Sequence, residues 1–361
     1  MSIEKLVEIS NFYGKNEDFV LAGGGNTSYK DGEFLYIKGS GTTLATITAE
    51  GFVKMNRRKL ASMWEKDYSA DVAEREAQVL VDLMDAREDK DKRPSVETSL
   101  HDLFEQKYVV HTHPALINGL TCGANGEKIA EELFGSDVIW IPPTMPGYVL
   151  AAEVKKKIDA LKAKGVTANT VFLANHGVFV SGNDESEIAA LMDDIFNKLK
   201  SVVKHEPDFT PIQKDAAAVA SRLKELLNAG AVKFVCNTEL LHFMQDEEAF
   251  KCVYSAFTPD HMVYYKHKAM FLREGEDAAE AIRKFEQRYG FAPKIIGAQG
   301  LGVFACDDSE KSADIDALLF IDAVKIAVYG KSFGGAVFMP DWLIDFIANW
   351  EVEAYRKKQS N

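Results

Sequence analysis

The chain has 361 residues, 47% hydrophobic and 27% charged, an ordinary globular composition that excludes a disordered or collagen-like protein. Its 42 basic and 55 acidic side chains leave a net charge of −13, so it offers no basic face and non-specific nucleic-acid binding is excluded as a function class. At roughly 150 residues per domain, the length predicts two domains.

The opening stretch from Ile3 to Tyr13 reads as a helix ending at Gly14. It mixes charge throughout and lacks the apolar core of a secretory leader. A turn-rich segment follows, Ala22-Gly23-Gly24-Gly25-Asn26-Thr27-Ser28, then alternation over Glu33 to Lys38, then Gly39-Ser40-Gly41-Thr42-Thr43. One short strand between two turns of Gly, Ser, Thr and Asn predicts a hairpin-like unit. Asp71 to Asp89 is an amphipathic helix by the spacing of Val72, Val79, Leu83 and Met84. Pro94-Ser95 opens another helix through Leu103, and Tyr108-Val109-Val110 is a short strand running into His111-Thr112-His113-Pro114. Val149 to Lys164 is helical, Thr170 to Ala174 is a strand closing on Asn175-His176-Gly177, and Glu185 to Val203 is a long helix.

Periodicity stops around His205 to Pro211, which predicts a linker and places a boundary between domains 1–205 and 206–361. The second part restarts with a helix (Lys214 to Ala229) and a strand (Val232 to Cys236). Its run from Ile315 to Tyr329 is interrupted by Asp316, Asp322 and Lys325, so it reads as a buried helix and not as a membrane span. Gly300-Leu301-Gly302-Val303-Phe304-Ala305 echoes Asn175-His176-Gly177-Val178-Phe179-Val180, and Tyr265-Lys266-His267-Lys268-Ala269 falls where a copy of the H-T-H-P stretch is expected. The second domain therefore reads as a degenerate duplicate of the first, keeping His267 alone of three histidines and binding no metal. The four cysteines (Cys122, Cys236, Cys252, Cys306) form no C-x-x-C pair. They are too sparse for a disulfide framework, and a reducing, cytoplasmic setting is expected.

Three groups of residues can carry chemistry. His111 and His113 lie two apart after an apolar strand, so alternation points both to one side, and His176 sits at the end of another strand. Three imidazoles at strand ends suit a divalent metal, zinc best, with cobalt, manganese or iron as alternatives. The ordinary alternative is that each histidine is a hydrogen-bonded or surface side chain. Glu97, near a helix start, is either a carboxylate beside that centre or one placed there by the helix dipole. His101, one turn on, is either its orienting partner or a hydrogen-bonded core residue. The two glycine-rich turns offer backbone N–H groups and hydroxyls for an anion, although neither is a Walker A loop.

In chain order, G-G-N-T-S, K-G-S-G, P-S-V-E-T-x-L-H, V-V-H-T-H-P and N-H-G-V-F resemble the class II aldolase/adducin family. The part beyond them, with F-T-P-D-H at Phe257 to His261, resembles the aldolase half of bifunctional rhamnulose-phosphate aldolase/lactaldehyde dehydrogenase proteins. The resemblance implies an α/β fold in the α+β sense, three-layered, with a mainly antiparallel central sheet, followed by a second α/β unit. It implies His111, His113 and His176 as metal ligands and Glu97 as the catalytic carboxylate. Gly25, Asn26, Ser40, Gly41 and Ser95 match positions lining the phosphate pocket of the sugar-phosphate aldolases. Two positions depart from the pattern: Val96 replaces a second serine of that pocket, and the proton-donor tyrosine falls on Pro143, with Tyr148 out of register.

The implied function is a metal-dependent aldolase, with zinc as cofactor, cleaving a rhamnulose- or fuculose-1-phosphate type of ketose to dihydroxyacetone phosphate and lactaldehyde. Its partner is then a small sugar phosphate, with no nucleic acid and no membrane, and the chain forms a homo-oligomer. A pentulose-phosphate 4-epimerase and an aldolase for an unphosphorylated substrate are the alternatives within the enzyme class. An adducin-like scaffold without chemistry is the alternative outside it.

Overall fold

The computed structural model describes residues 3–349. The chain folds into two compact units. One consists of the residues up to Ile117 together with Glu127–Ser201, and the other of Asn118–Gly126 together with the residues from Val202 on. No helix among the described residues is long and apolar enough to cross a membrane.

The first unit is a mixed α/β structure on seven strands: β1 (Asn26–Lys30), β2 (Phe34–Lys38), β3 (Phe52–Asn56), β4 (Tyr108–Thr112), β5 (Ile139–Ile141), β6 (Thr170–Leu173) and β7 (Gly177–Gly182). They lie in the order β3-β2-β1-β4-β7-β6-β5. Every neighbouring pair is antiparallel except β5 and β6, which are parallel. Helices cover both faces. Thr27 meets Ser10 of the helix Ile3–Gly14, while its neighbour Ser28 meets His101 of the helix Thr98–Leu103 on the opposite face. On that second face Leu100, Phe104, Leu150, Val154 and Ile158 bury Val109, Val171 and Phe179.

Two elements differ from the sequence expectation, each for a local reason. The polar run Asn26-Thr27-Ser28-Tyr29-Lys30 is a strand in the middle of the sheet and not the tail of a turn. Side-chain and carbonyl partners from the flanking helices bond its buried polar groups at Thr27, Ser28 and Lys30, so it needs no apolar alternation. The helix expected from Pro94 begins only at Thr98. Before it, Gly39 bridges Pro94 and the Ser40 N–H reaches the Arg93 carbonyl at 2.9 Å, which holds residues 93–95 extended against the K-G-S-G turn.

The second unit has four strands, β8 (Ala231–Val235), β9 (Met270–Leu272), β10 (Ile295–Ala298) and β11 (Gly302–Asp307), in the order β8-β11-β10-β9. Only β9 and β10 are parallel. This order and these senses are those of β4-β7-β6-β5 in the first unit. Phe234 lies opposite Phe304 as His111 lies opposite Phe179, and Ala298 opposite Gly302 as Leu173 lies opposite Gly177. The place of H-T-H-P is therefore taken by Phe234-Val235-Cys236-Asn237, not by the stretch around His267. His267 instead precedes β9, which stands where β5 stands in the first unit. The expectation that one metal-ligand position keeps its histidine is thus corrected. All four cysteines are free thiols, Cys252 exposed and the others buried.

Candidate metal centre

Three strands deliver the site. Asn26 on β1 and His111 on β4 are direct cross-strand partners, and on its other side His111 faces Phe179 of β7. The His111 ring stacks on Phe179 with centroids 4.0 Å apart and planes within 9°. Its Nδ1 lies 3.0 Å from the Val178 carbonyl, which can only accept, so Nδ1 carries the proton and Nε2 presents a lone pair. His113 follows the strand end, and His176 closes a three-residue turn between β6 and β7. Asn175 in that turn takes φ 57°, a left-handed conformation that asparagine tolerates better than most side chains.

The three rings converge through Nε2. His113 Nε2 is 2.9 Å and His176 Nε2 3.4 Å from His111 Nε2. Glu97 Oε1 lies 3.6 Å from His111 Nε2 and 3.9 Å from His176 Nε2. That oxygen is buried and accepts no hydrogen bond. A tetrahedral ion with metal–nitrogen bonds of about 2.0–2.1 Å keeps its ligands roughly 3.3 Å apart, close to these separations. The His111 Nε2 lone pair points into this corner, and a buried carboxylate oxygen without a donor is costly. A divalent cation answers both, so the residues present fit one, with His111, His113 and His176 as ligands.

Glu97 stands at the N-cap position of the helix Thr98–Leu103 but its side chain makes no capping hydrogen bond. Its Oε2 accepts from the Asn26 side-chain amide, and the Asn26 carbonyl oxygen faces His101 Nε2. His101 Nδ1 lies 2.8 Å from Ser28 Oγ, and Lys30 Nζ donates to the His101 carbonyl at 2.9 Å. His101 is fully buried, and burial holds its imidazole well below the ordinary histidine range, so it is neutral. Sequence reasoning left His101 between two roles, counted the Ser28 hydroxyl with the anion-binding turn and passed over Lys30. Their signal was alternation, since Asn26, Ser28 and Lys30 share one strand face.

The residues expected around a phosphate fall in two groups. Ser40 and Gly41 lie on the K-G-S-G turn, and Ser95 on the segment bound to it, with Ser40 Oγ donating to the Pro94 carbonyl at 3.0 Å and Ser95 Oγ accepting from Glu97 N–H at 3.2 Å. Gly41 takes φ +85° and Gly25 φ +63°. A Cβ on Gly25 would lie 2.7 Å from the His111 carbonyl, so that position fits glycine. Asn26 commits its side chain to Glu97 and His101. Lys38, missed in the sequence, is buried at the end of β2, its ammonium 3.5 Å from the Gly23 carbonyl. Tyr148 stacks on Trp64 at 5.5 Å and meets Tyr68 at 4.9 Å, in a cluster packed beside β2 and β3.

A mixed α/β sheet that gathers three imidazoles at strand ends, with a carboxylate from a helix start beside them, defines a protein with a corner that can hold a metal ion. The chain belongs to the class II aldolase and adducin family: the model of the Class II Aldolase and Adducin N-terminal domain matches residues 4–196. Across 413 aligned positions it is similar to the uncharacterized oxidoreductase YuxG of Bacillus subtilis (strain 168), 23% identical, with 98% of this chain and 58% of that protein covered. The chain thus spans less than two thirds of that curated relative. Among solved structures it is similar to the N-terminal class II aldolase domain of a conserved Thermoplasma acidophilum protein, with 27% identity, TM-score 0.48, and 56% of this chain and 94% of that one covered. It is also similar to the L-fuculose-1-phosphate aldolase of Thermus thermophilus, with 16% identity, TM-score 0.36, and 56% and 94% covered.

Proposed function

We propose that this chain is a metal-dependent aldolase that cleaves a ketose 1-phosphate of the rhamnulose or fuculose type to dihydroxyacetone phosphate and lactaldehyde. The observation that carries the reading is the approach of Glu97 Oε1 to within 3.6 Å and 3.9 Å of two of the three converging imidazoles. A scaffold has no use for a buried carboxylate oxygen aimed at histidine lone pairs. A divalent cation held by His111, His113 and His176, zinc by preference, supplies Lewis-acid polarisation of the substrate carbonyl.

The chain's own residues supply the rest. Glu97 takes the proton from the carbon beside the carbonyl in the condensing direction and returns it there in cleavage, using Oε1. The turns carrying Gly25, Ser40, Gly41 and Ser95 present backbone N–H groups and hydroxyls to the phosphate, and Lys38 adds a charge that offsets the hydroxyl lost at Val96.

The test combines metal analysis of the purified chain with an assay for dihydroxyacetone phosphate released from the two ketose 1-phosphates. The expected result is stoichiometric metal and turnover in the native chain, and loss of both in His176→Ala. Glu97→Gln should retain metal while losing on the order of 10²–10⁴ in turnover, the range for removing a general base. Metal without product from either sugar would replace this reading with the epimerase or an unphosphorylated substrate. A chain that binds no metal would overturn it in favour of the scaffold.

A further inference from the structure

We infer that Ser28, His101 and Asn26 form a positioning relay that fixes which oxygen of Glu97 exchanges the proton; this rests on the reading of Glu97 as the base. The four side chains are joined end to end: Ser28 Oγ to His101 Nδ1, His101 Nε2 to the Asn26 carbonyl oxygen, Asn26 amide to Glu97 Oε2. Only one proton arrangement satisfies every link when Glu97 is ionised. A carboxylate can only accept, so Asn26 must turn its NH₂ group toward Glu97 and its oxygen toward His101. That oxygen accepts, so His101 carries its proton on Nε2, and Nδ1 then accepts from the Ser28 hydroxyl. Turning the Asn26 amide over would set oxygen against oxygen at Glu97. The relay thus keeps Oε2 occupied as an acceptor and leaves Oε1, the oxygen facing His111 and His176, to take and return the proton. The members need no rearrangement for this. Asn26 is set by its cross-strand pairing with His111, and the His101 carbonyl is held by Lys30 Nζ at 2.9 Å.

Two measurements test the relay. Two-bond ¹H–¹⁵N correlation on histidine-labelled protein should show His101 protonated on Nε2, with its ring signals displaced in Ser28→Ala and in Asn26→Ala. A proton on Nδ1, or ring signals unmoved by both substitutions, would overturn the relay whatever the substrate proves to be. In turnover, His101→Phe should lower kcat about 10- to 100-fold, the usual loss for residues that orient a site, with KM and metal content unchanged. His101→Gln, which can donate to Asn26 and accept from Ser28, should recover most of that loss. Equal loss in the two variants, or loss accompanied by loss of metal, would reduce His101 to packing.

A separate set of observations concerns the second unit, which we propose is an internal copy whose metal corner has been retired. Beyond strand order and register, three backbone hydrogen bonds recur at matching places. Ala174 N–H to the Ile141 carbonyl (2.9 Å) recurs as Gln299 to Leu272 (2.9 Å), His176 to Leu173 (3.1 Å) as Leu301 to Ala298 (3.1 Å), and Ser181 to Asn169 (2.9 Å) as Cys306 to Lys294 (2.7 Å). Asn175 and Gly300 take the same left-handed turn, φ 57° and +68°. A Cβ on Gly177 would lie 2.5 Å from the Thr112 carbonyl, and one on Gly302 2.7 Å from the Val235 carbonyl. The positions of His111, His113 and His176 are thereby Phe234, Cys236 and Leu301. Phe234 still packs on Phe304, centroids 4.9 Å apart, as His111 does on Phe179. The native chain should therefore bind one metal equivalent, lost altogether in His176→Ala. In that background, Phe234→His with Cys236→His and Leu301→His should restore one. A native second equivalent that survives His176→Ala would overturn the proposal, as would a crystal structure in which β8–β11 fail to superpose on β4–β7.

Discussion

Lys30 shows how a polar strand at the centre of a sheet sets a pH limit on stability. It is fully buried beside the Arg57–Asp102 pair, and burial pushes its ammonium down to about 7, against a slight upward pull from Asp102. In the unfolded chain its value is 10.5. Below about 7 both states carry the charge and the folded state bears the whole desolvation cost; above 10.5 both are neutral and it bears none. The unfolded state therefore holds more protons in between, and this residue makes stability rise with pH across that window. At about 1.36 kcal/mol per unit, the span is on the order of 4–5 kcal/mol as an upper bound. Lys30→Met should flatten the rise in urea-melt midpoints between pH 7 and 10. A rise of unchanged slope in the variant would show that Lys30 is not its source.

At the scale of elements, the site depends on how closely β7 approaches the end of β4. A Cβ on Gly177 would lie 2.5 Å from the Thr112 carbonyl and 2.7 Å from His113 Cδ2, so Gly177→Ala must displace the strand end or the His113 ring. Metal affinity should fall about 10- to 100-fold, as when a ligand's support is disturbed, with secondary structure retained. Isothermal titration against the native chain decides it, and an unchanged affinity would mean the ring swings aside at no cost. Most elements here were legible because their apolar residues recur at helical or alternating spacing, as in the helices Val72–Ala86 and Glu185–Val202. The three converging histidines were legible from residue type and from their places at strand ends. The strand Asn26–Lys30 was not, because its burial rests on partners distant in the chain: Ser10, and His101 for both Ser28 and Lys30. For the same reason alternation along β1 could place Ser28 and Asn26 on one face but could not show their link to Glu97. That link exists only once the helix Thr98–Leu103 has packed against β1.

For the whole molecule, the recurrence of one strand order in both units separates what the fold needs from what the chemistry needs. Phe179 and Phe304, both fully buried, and the left-handed turns at Asn175 and Gly300 belong to the first kind. On the proposed reading the imidazoles at 111, 113 and 176 belong to the second, since Phe234, Cys236 and Leu301 stand at the matching places of the second sheet without them. Connectivity adds a constraint of another sort. Asn118–Gly126 comes from the first half of the sequence but is built into the second unit, where Ala124 N–H reaches the Gly335 carbonyl and Val337 N–H the Cys122 carbonyl, at 2.9 Å and 2.6 Å. Gly119 lies against the Tyr329 side chain closely enough that a Cβ there would meet it at 2.5 Å. The second unit is therefore not one continuous stretch of sequence. A gene cut after residue 201 would give a first fragment with a segment stripped of its partners and a second with a hole where that segment sat. Recombination can exchange these units only as a pair.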